Sequence, residues 1–257
     1  IINEYLLGVK SDQPPFRQMI WRKAFEKASH TVDAEALLKD LIEKIADNIE
    51  QSPCRSLSNE NWRKEVKDSL NTEKNKSDEV CFERKLAKYF KEHDLNNWWN
   101  QMPVASGLVG ATSDRRRAVD LVHWDETTEA YDFIELKIGS DFPVYALMEI
   151  VLYGLIYLVS RDNPDYLSDK SRKSGVFQAR QINLRVLAPE AYFEGYELGR
   201  FEQELNTGFQ KILANRKDGL TMCVQSFSHP TVKKHSETQG SLDDLLNLGT
   251  WKRAFHS

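Results

Sequence analysis

Cysteine is scarce. Cys54, Cys81 and Cys223 are the only three in 257 residues, an odd count with no CxxC pair, which excludes a disulfide framework and a zinc ribbon and fits a reducing cytoplasmic setting. Glycine is also sparse at 12, and none of it forms the loop that cradles a phosphate or a dinucleotide. The six histidines show no metal-ligand spacing, and neither a Ser–His–Asp nor a Cys–His set can be argued from chain order. His123, on an apolar stretch, reads as a satisfied structural residue. There is no internal repeat and no heptad array. Residues 1–8 (IINEYLLG) lack the basic flank and cleavage site of a signal peptide, so export is not expected. Neither sign of charge dominates: 35 basic against 39 acidic residues leave a net charge of −4, which taken whole argues against a partner as acidic as nucleic acid.

What is present is enough apolar material for one large α/β core, or a core with a satellite: 40% hydrophobic and 11% aromatic residues. One long hydrophobic run stands out, 142–160 (FPVYALMEIVLYGLIYLVS), with Glu149 as its single charge. A carboxylate near the centre of a membrane span costs roughly 2 to 3 kcal/mol or more, and no second span exists. The run therefore reads as a buried helix of a soluble protein, not a membrane anchor. Burying Glu149 requires a partner, for which a metal, Lys137 or a nearby Arg are the candidates.

Along the chain, Val32, Leu37, Leu38, Leu41, Ile42, Ile45 and Ile49 recur at helical spacing. Residues 51–58 read as a loop, 59–70 as a second helix and 71–77 as a polar boundary. From 79 the texture changes. Residues 79–93 read as an amphipathic helix, 105–110 as a short strand, and 117–124 and 130–138 as two strands joined by a hairpin-length connection. The apolar helix follows, then an exposed basic loop at 162–175, a strand at 182–188, a helix at 199–215 and a strand at 220–227. A short amphipathic piece, 242–248, lies in the tail. This divides the chain into a helical N-terminal extension (1–78), an α/β core (79–228) and a C-terminal tail (229–257).

Alternation on the 130–138 strand puts Glu135 and Lys137 on one face. Fourteen residues separate Asp120 from Glu135, a hairpin's length, so the two carboxylates are expected side by side on neighbouring strands. Such a pair suits a hard, oxygen-seeking cation such as Mg²⁺, with Mn²⁺ as substitute, that keeps part of its water shell. A lysine beside it could hold or deprotonate the attacking water. Tyr145, Glu149 and Tyr153 share a face of the apolar helix, the tyrosines reading as packing residues with their hydroxyls at an edge.

These residues resemble the PD-(D/E)xK, or restriction-endonuclease-like, nuclease superfamily. Asp120 stands where the motif has Asp, Glu135 and Lys137 where it has (D/E)xK, and Val119 replaces the proline. Glu83 in FERKLAKYF is similar to the acid often found on the family's first helix. Glu149 and Tyr153 have the spacing of the Gln and Tyr of the RecB-like branch, with Glu in place of Gln. The resemblance covers about 150 residues. It implies a restriction-endonuclease-like core with a mixed central sheet flanked by helices, and a Mg²⁺-dependent nuclease. Asp120 and Glu135 would bind the metal, Lys137 would activate water, and Glu83 and Glu149 would assist.

Arg115, Arg116 and Arg117 run into the Asp120 strand, and Lys170, Arg172 and Lys173 follow the apolar helix; both runs are candidates for phosphate contact. Trp98 and Trp99 could stack on bases, with core or edge packing the safer reading. The acidic total is local. Residues 31–50 carry six acids and two bases, and 186–204 five acids and one base, −4 in each case, so the remainder sums to +4. The substrate expected on this reading is DNA. An RNA-directed nuclease and a non-catalytic nucleic-acid- or protein-binding module are the alternatives, and a homodimer is compatible with either.

Overall fold

A computed structural model describes residues 31–51, 58–69, 77–104, 117–139, 141–233 and 241–255. Among the described residues the first helix, α1 (Ala34–Gln51), starts at Asp33, whose Oδ1 accepts the Ala36 amide at 3.1 Å, a side-chain cap for an otherwise unpaired N–H. The amphipathic helix α2 (Asp78–Glu92) leads to β1 (Trp98–Pro103). Strands β2 (Ala118–Asp125) and β3 (Ala130–Leu136) form the expected hairpin. Its turn is held by Asp125, whose carboxylate accepts the Thr127 amide at 2.9 Å and the Thr128 hydroxyl at 2.8 Å.

The apolar run is α3 (Pro143–Asp162), with 16 of its 20 residues buried. It is a core helix, and its apolarity on every side follows from being covered on every side. A basic stretch with one short helix, α4 (Asp169–Arg172), returns to β4 (Gln181–Ala188). Then come α5 (Glu190–Phe193), α6 (Gly199–Leu213), β5 (Thr221–Ser228), α7 (Leu242–Leu246) and β6 (Lys252–Arg253).

The six strands form one mixed sheet in the order β1-β2-β3-β4-β5-β6. The pairs β1–β2, β2–β3 and β5–β6 are antiparallel, while β3–β4 and β4–β5 are parallel. One face packs against α3 and α6, themselves covered by α1, around Val122, Phe133, Leu184 and Val224. The other packs Leu121, Ile134, Leu136 and Leu187 against Phe82, Leu86 and Phe90 of α2 and against Leu245 and Trp251. The protein is thus an α/β fold with helices on both sides of an open mixed sheet. Close approach of α3 to the sheet requires Gly154, where a Cβ would stand 2.5 Å from Leu184 Cδ1 and 2.9 Å from Met222 Cε.

The structure and the sequence reading differ at 59–69 and at β1. Residues 59–69 are not a helix: a turn at 59–62 passes into an extended segment. Tertiary bonds outcompete helix propensity there, because Trp62 N donates to Pro103 O at 2.7 Å and Lys67 exchanges both backbone groups with the Asn100 side chain, at 2.7 and 2.9 Å. The strand expected at 105–110 lies outside the described residues, and the edge strand is β1 at 98–103. Trp98 is in the core and Trp99 packs at its margin. Finally, the outlying segments join the same cores: Leu37, Leu38, Leu41 and Ile45 of α1 pack with α3, and β6 extends the sheet beside β5.

Candidate active site

The site forms at the carboxyl end of β3, where strand alternation and the start of α3 coincide. Tyr131 and Phe133 point into the α3-side core. Glu135, and Lys137 just past the strand, continue that face and stay buried, at 4% and 6% exposure. Asp120 lies one residue beyond the Leu121–Ile134 register pair, and its Oδ2 accepts the Leu136 amide at 3.0 Å. The strand hairpin therefore brings Asp120 beside Glu135, as the fourteen-residue spacing requires.

Lys137 is the hub. Its Nζ is 2.7 Å from Glu135 Oε1 and 3.2 Å from Glu149 Oε2, and lies 5.8 Å from the Tyr145 ring centroid. Tyr153, one helical turn past Glu149, donates its hydroxyl to Glu149 Oε1 at 3.3 Å. From the opposite side of the sheet α2 delivers Glu83, which accepts from the Asn100 amide and, at 2.8 Å, from Gln101 Nε2. The same Gln101 nitrogen is 3.2 Å from Asp120 Oδ1. Gln101 holds a left-handed backbone, φ +49°, which non-glycine residues seldom adopt and which over-determined surroundings must maintain. Glu79, one turn before Glu83, accepts the Ile138 amide at 3.1 Å.

All five residues singled out from sequence for catalysis, Asp120, Glu135, Lys137, Glu83 and Glu149, thus fall in one connected cluster. Sequence reasoning missed four others. Glu79 was legible as the i−4 neighbour of Glu83. Asn100 and Gln101 carry no local signal, because their role depends on the pairing of β1 with β2 and with the extended segment. Tyr192, taken up below, lies on α5, which directly follows β4.

Electrostatically the cluster is short of positive charge. Burial, and then the charge of Asp120, push the Glu83 carboxyl up to about 7. Burial pushes Asp120 up to about 6, against the opposing pull of Lys137 and the Leu136 amide. Glu135 is raised well above the ordinary carboxylate range by burial and then by Asp120. Burial works against a charged Lys137, but Glu135, Glu149 and Asp120 outweigh it, so the ammonium keeps its proton. Arg84, 3.6 Å from Glu83 Oε1, eases Glu83 only in part, and Lys137 does not offset the repulsion among the remaining acids.

Glu135 Oε2 is buried without a hydrogen-bond partner, and the costs of leaving it so are those of any orphaned buried acceptor. Among the described residues no group of three or more His, Cys, Asp and Glu side chains is arranged to hold a metal ion. The site offers instead two adjacent carboxylates, which fits a cation that keeps several waters.

The basic residues divide. Arg115 and Arg116 lie outside the described residues. Arg117 enters β2 half-buried, near enough for its charge to be felt at Tyr145 and Tyr153. Lys170, Arg172 and Lys173 are exposed in the α3–β4 connection, with Arg172 paired to Asp169. That connection closes where Arg180 N donates to Glu129 O at 2.9 Å, at the amino end of β3. The three residues therefore do not converge with the acids. His123 is structural, as expected: its Nδ1 is 2.9 Å from Asp132 Oδ2. No protein-family model, curated protein or solved structure matches this chain, so the function has to be argued from this geometry.

Proposed function

We propose that the protein is a Mg²⁺- or Mn²⁺-dependent phosphodiesterase acting on DNA, built on a restriction-endonuclease-like core. The observation that carries this reading is the buried Asp120–Glu135 pair beside Lys137, with one Glu135 oxygen left unsatisfied. Asp120 and Glu135 would hold the cation. When bound, it supplies Lewis acidity at the phosphate and a water of lowered pKa. Lys137, kept protonated by its neighbours, donates hydrogen bonds toward the attacking water or a non-bridging oxygen and stabilises the charge that builds there. Glu149, steadied by Tyr153, positions Lys137. Gln101 ties Glu83 to Asp120 and sets the direction of the Asp120 carboxylate.

A second reading has an observation of its own. Lys137 is already bonded to both Glu135 and Glu149, as in a self-contained structural cluster, and such a chain would be a non-catalytic binding module. Cleavage of plasmid, single-stranded DNA and RNA with Mg²⁺ or Mn²⁺ separates the two readings, comparing wild type with Asp120→Ala and Lys137→Ala. Activity in the wild type that both substitutions remove is the expected result, and the polymer cut decides between DNA and RNA. Equal residual activity in all three proteins would falsify the assignment. So would a Mn²⁺-dependent rise in melting temperature that Asp120→Ala leaves intact.

A further inference from the structure

Tyr192 is 9% exposed, and its hydroxyl is buried without a hydrogen-bond partner. It sits on α5, directly after β4, whose Leu187 carbonyl accepts the Lys137 amide at 3.0 Å. The chain thus turns back over the same end of the sheet, and the hydroxyl lies close enough to Lys137, Asp141, Glu135 and Glu79 for their charges to act on it. Buried tyrosine hydroxyls ordinarily find a partner. Two orphaned atoms therefore lie toward this end of the sheet, the Glu135 Oε2 acceptor and the Tyr192 donor. A buried carboxyl oxygen beside other acids calls for a cation, and a hydroxyl without an acceptor calls for an anionic oxygen. One ligand class supplies both, a metal-bound phosphate.

We propose that Tyr192 is a substrate-contacting residue that donates its hydroxyl to a non-bridging oxygen of the phosphate held at the Asp120–Glu135–Lys137 centre. The proposal deepens the phosphodiesterase reading and rests on it for the identity of the reaction. Removing an unpaired buried hydroxyl takes away no bond in the ligand-free protein, so Tyr192→Phe should fold with an undiminished melting temperature.

The experiment has two arms. In the first, melting temperatures of wild type and Tyr192→Phe are compared with Mn²⁺ alone and with Mn²⁺ plus inorganic phosphate. Mn²⁺ should stabilise both proteins equally, and phosphate should add a further rise in the wild type only. In the second, turnover of a single-stranded oligonucleotide is measured; kcat/KM should fall about tenfold or more in Tyr192→Phe. A phosphate response that is the same in both proteins, or absent from both, overturns the proposal, as does unchanged turnover. If the wild type cuts nothing, the phosphodiesterase reading fails by itself. A phosphate response that still depends on Tyr192 would then support the phosphate contact without the chemistry.

Discussion

Asp132 and Glu135 lie three residues apart on β3, on opposite faces of the sheet, and are almost equally buried at 1% and 4% exposure. Asp132 is fully engaged. Its oxygens accept from Arg185 Nε at 2.6 Å, Asn183 Nδ2 at 2.9 Å and the His123 ring at 2.9 Å. Burial alone would raise its pKa, but those bonds and the Arg185 charge prevail and hold it below the ordinary value. Glu135 has Lys137 on one oxygen, nothing on the other, and Asp120 repelling it, so its pKa moves the opposite way. Burial by itself therefore does not distinguish a structural carboxylate from a poised one. The number and sign of its partners do.

The comparison can be broken most decisively by substitution. Lys137→Ala should lower turnover by about 10²- to 10³-fold, whereas Asp132→Ala should leave turnover per folded molecule unchanged in the same cleavage assay. A large turnover loss in Asp132→Ala at full folding would erase the distinction. The order should reverse for stability. Asp132→Ala strands Arg185 and His123 and should cost about 3 to 5 kcal/mol in denaturant unfolding, more than any single change in the acid cluster.

The pH response sharpens the contrast. Glu83 holds its proton in the folded state up to about 7, against 4.5 ordinarily. The folded protein then binds more protons than the unfolded between those values. This contribution is full below pH 4.5 and is lost as pH rises to 7, by at most about 3 kcal/mol. Asp132, whose pKa is lowered, contributes stability that is present above its ordinary value and lost as pH falls through the folded one. Metal-free melting temperatures from pH 3 to 8 should show Glu83→Gln flattening the decline toward neutral pH and Asp132→Asn flattening the decline toward acid. Parallel shifts in both variants would contradict the assignment. Mn²⁺ stabilisation should grow from pH 5 to pH 8, because protons compete for Asp120 and Glu135.

The smallest expected effect concerns the sheet's edges. On β5, Asn206 of α6 bonds both Val224 backbone groups, at 2.7 and 3.0 Å, and Glu202 accepts the Ser226 amide at 2.7 Å. These side chains occupy backbone groups that would otherwise invite another strand. Asn206→Ala should cost about 1 kcal/mol, read by denaturant unfolding, and leave cleavage unaltered.

How much of this was legible beforehand differs by residue. Alternation across 130–138 and the single charge in the apolar run identified β3, α3 and the Glu135–Lys137 face, because strand and helix periodicity are local properties of side-chain order. The fourteen residues between Asp120 and Glu135 placed the acid pair, because a hairpin is nearly local too. Gln101 was invisible, since its role needs a left-handed backbone and a β1–β2 register. The extended segment at 63–69 was misread as helix for the same reason, its partner Asn100 being over thirty positions away. Lys170, Arg172 and Lys173 are adjacent to the site in order but not in space, because α3 spans 20 residues and carries the chain to the far end of the sheet.

The sequence by itself determined the hairpin strands β2 and β3, the helices α3 and α6, the face on which Glu135 and Lys137 lie and the need of Glu149 for a partner, all consequences of periodicity and of the cost of burying charge. Only the tertiary structure decided that Glu149 pairs with Lys137, that Glu83 and Asp120 share Gln101, and that Glu135 and Tyr192 are each left one partner short. Those are properties of distances between elements far apart in the chain, and pairing energies fall off too steeply with distance for residue order to specify them.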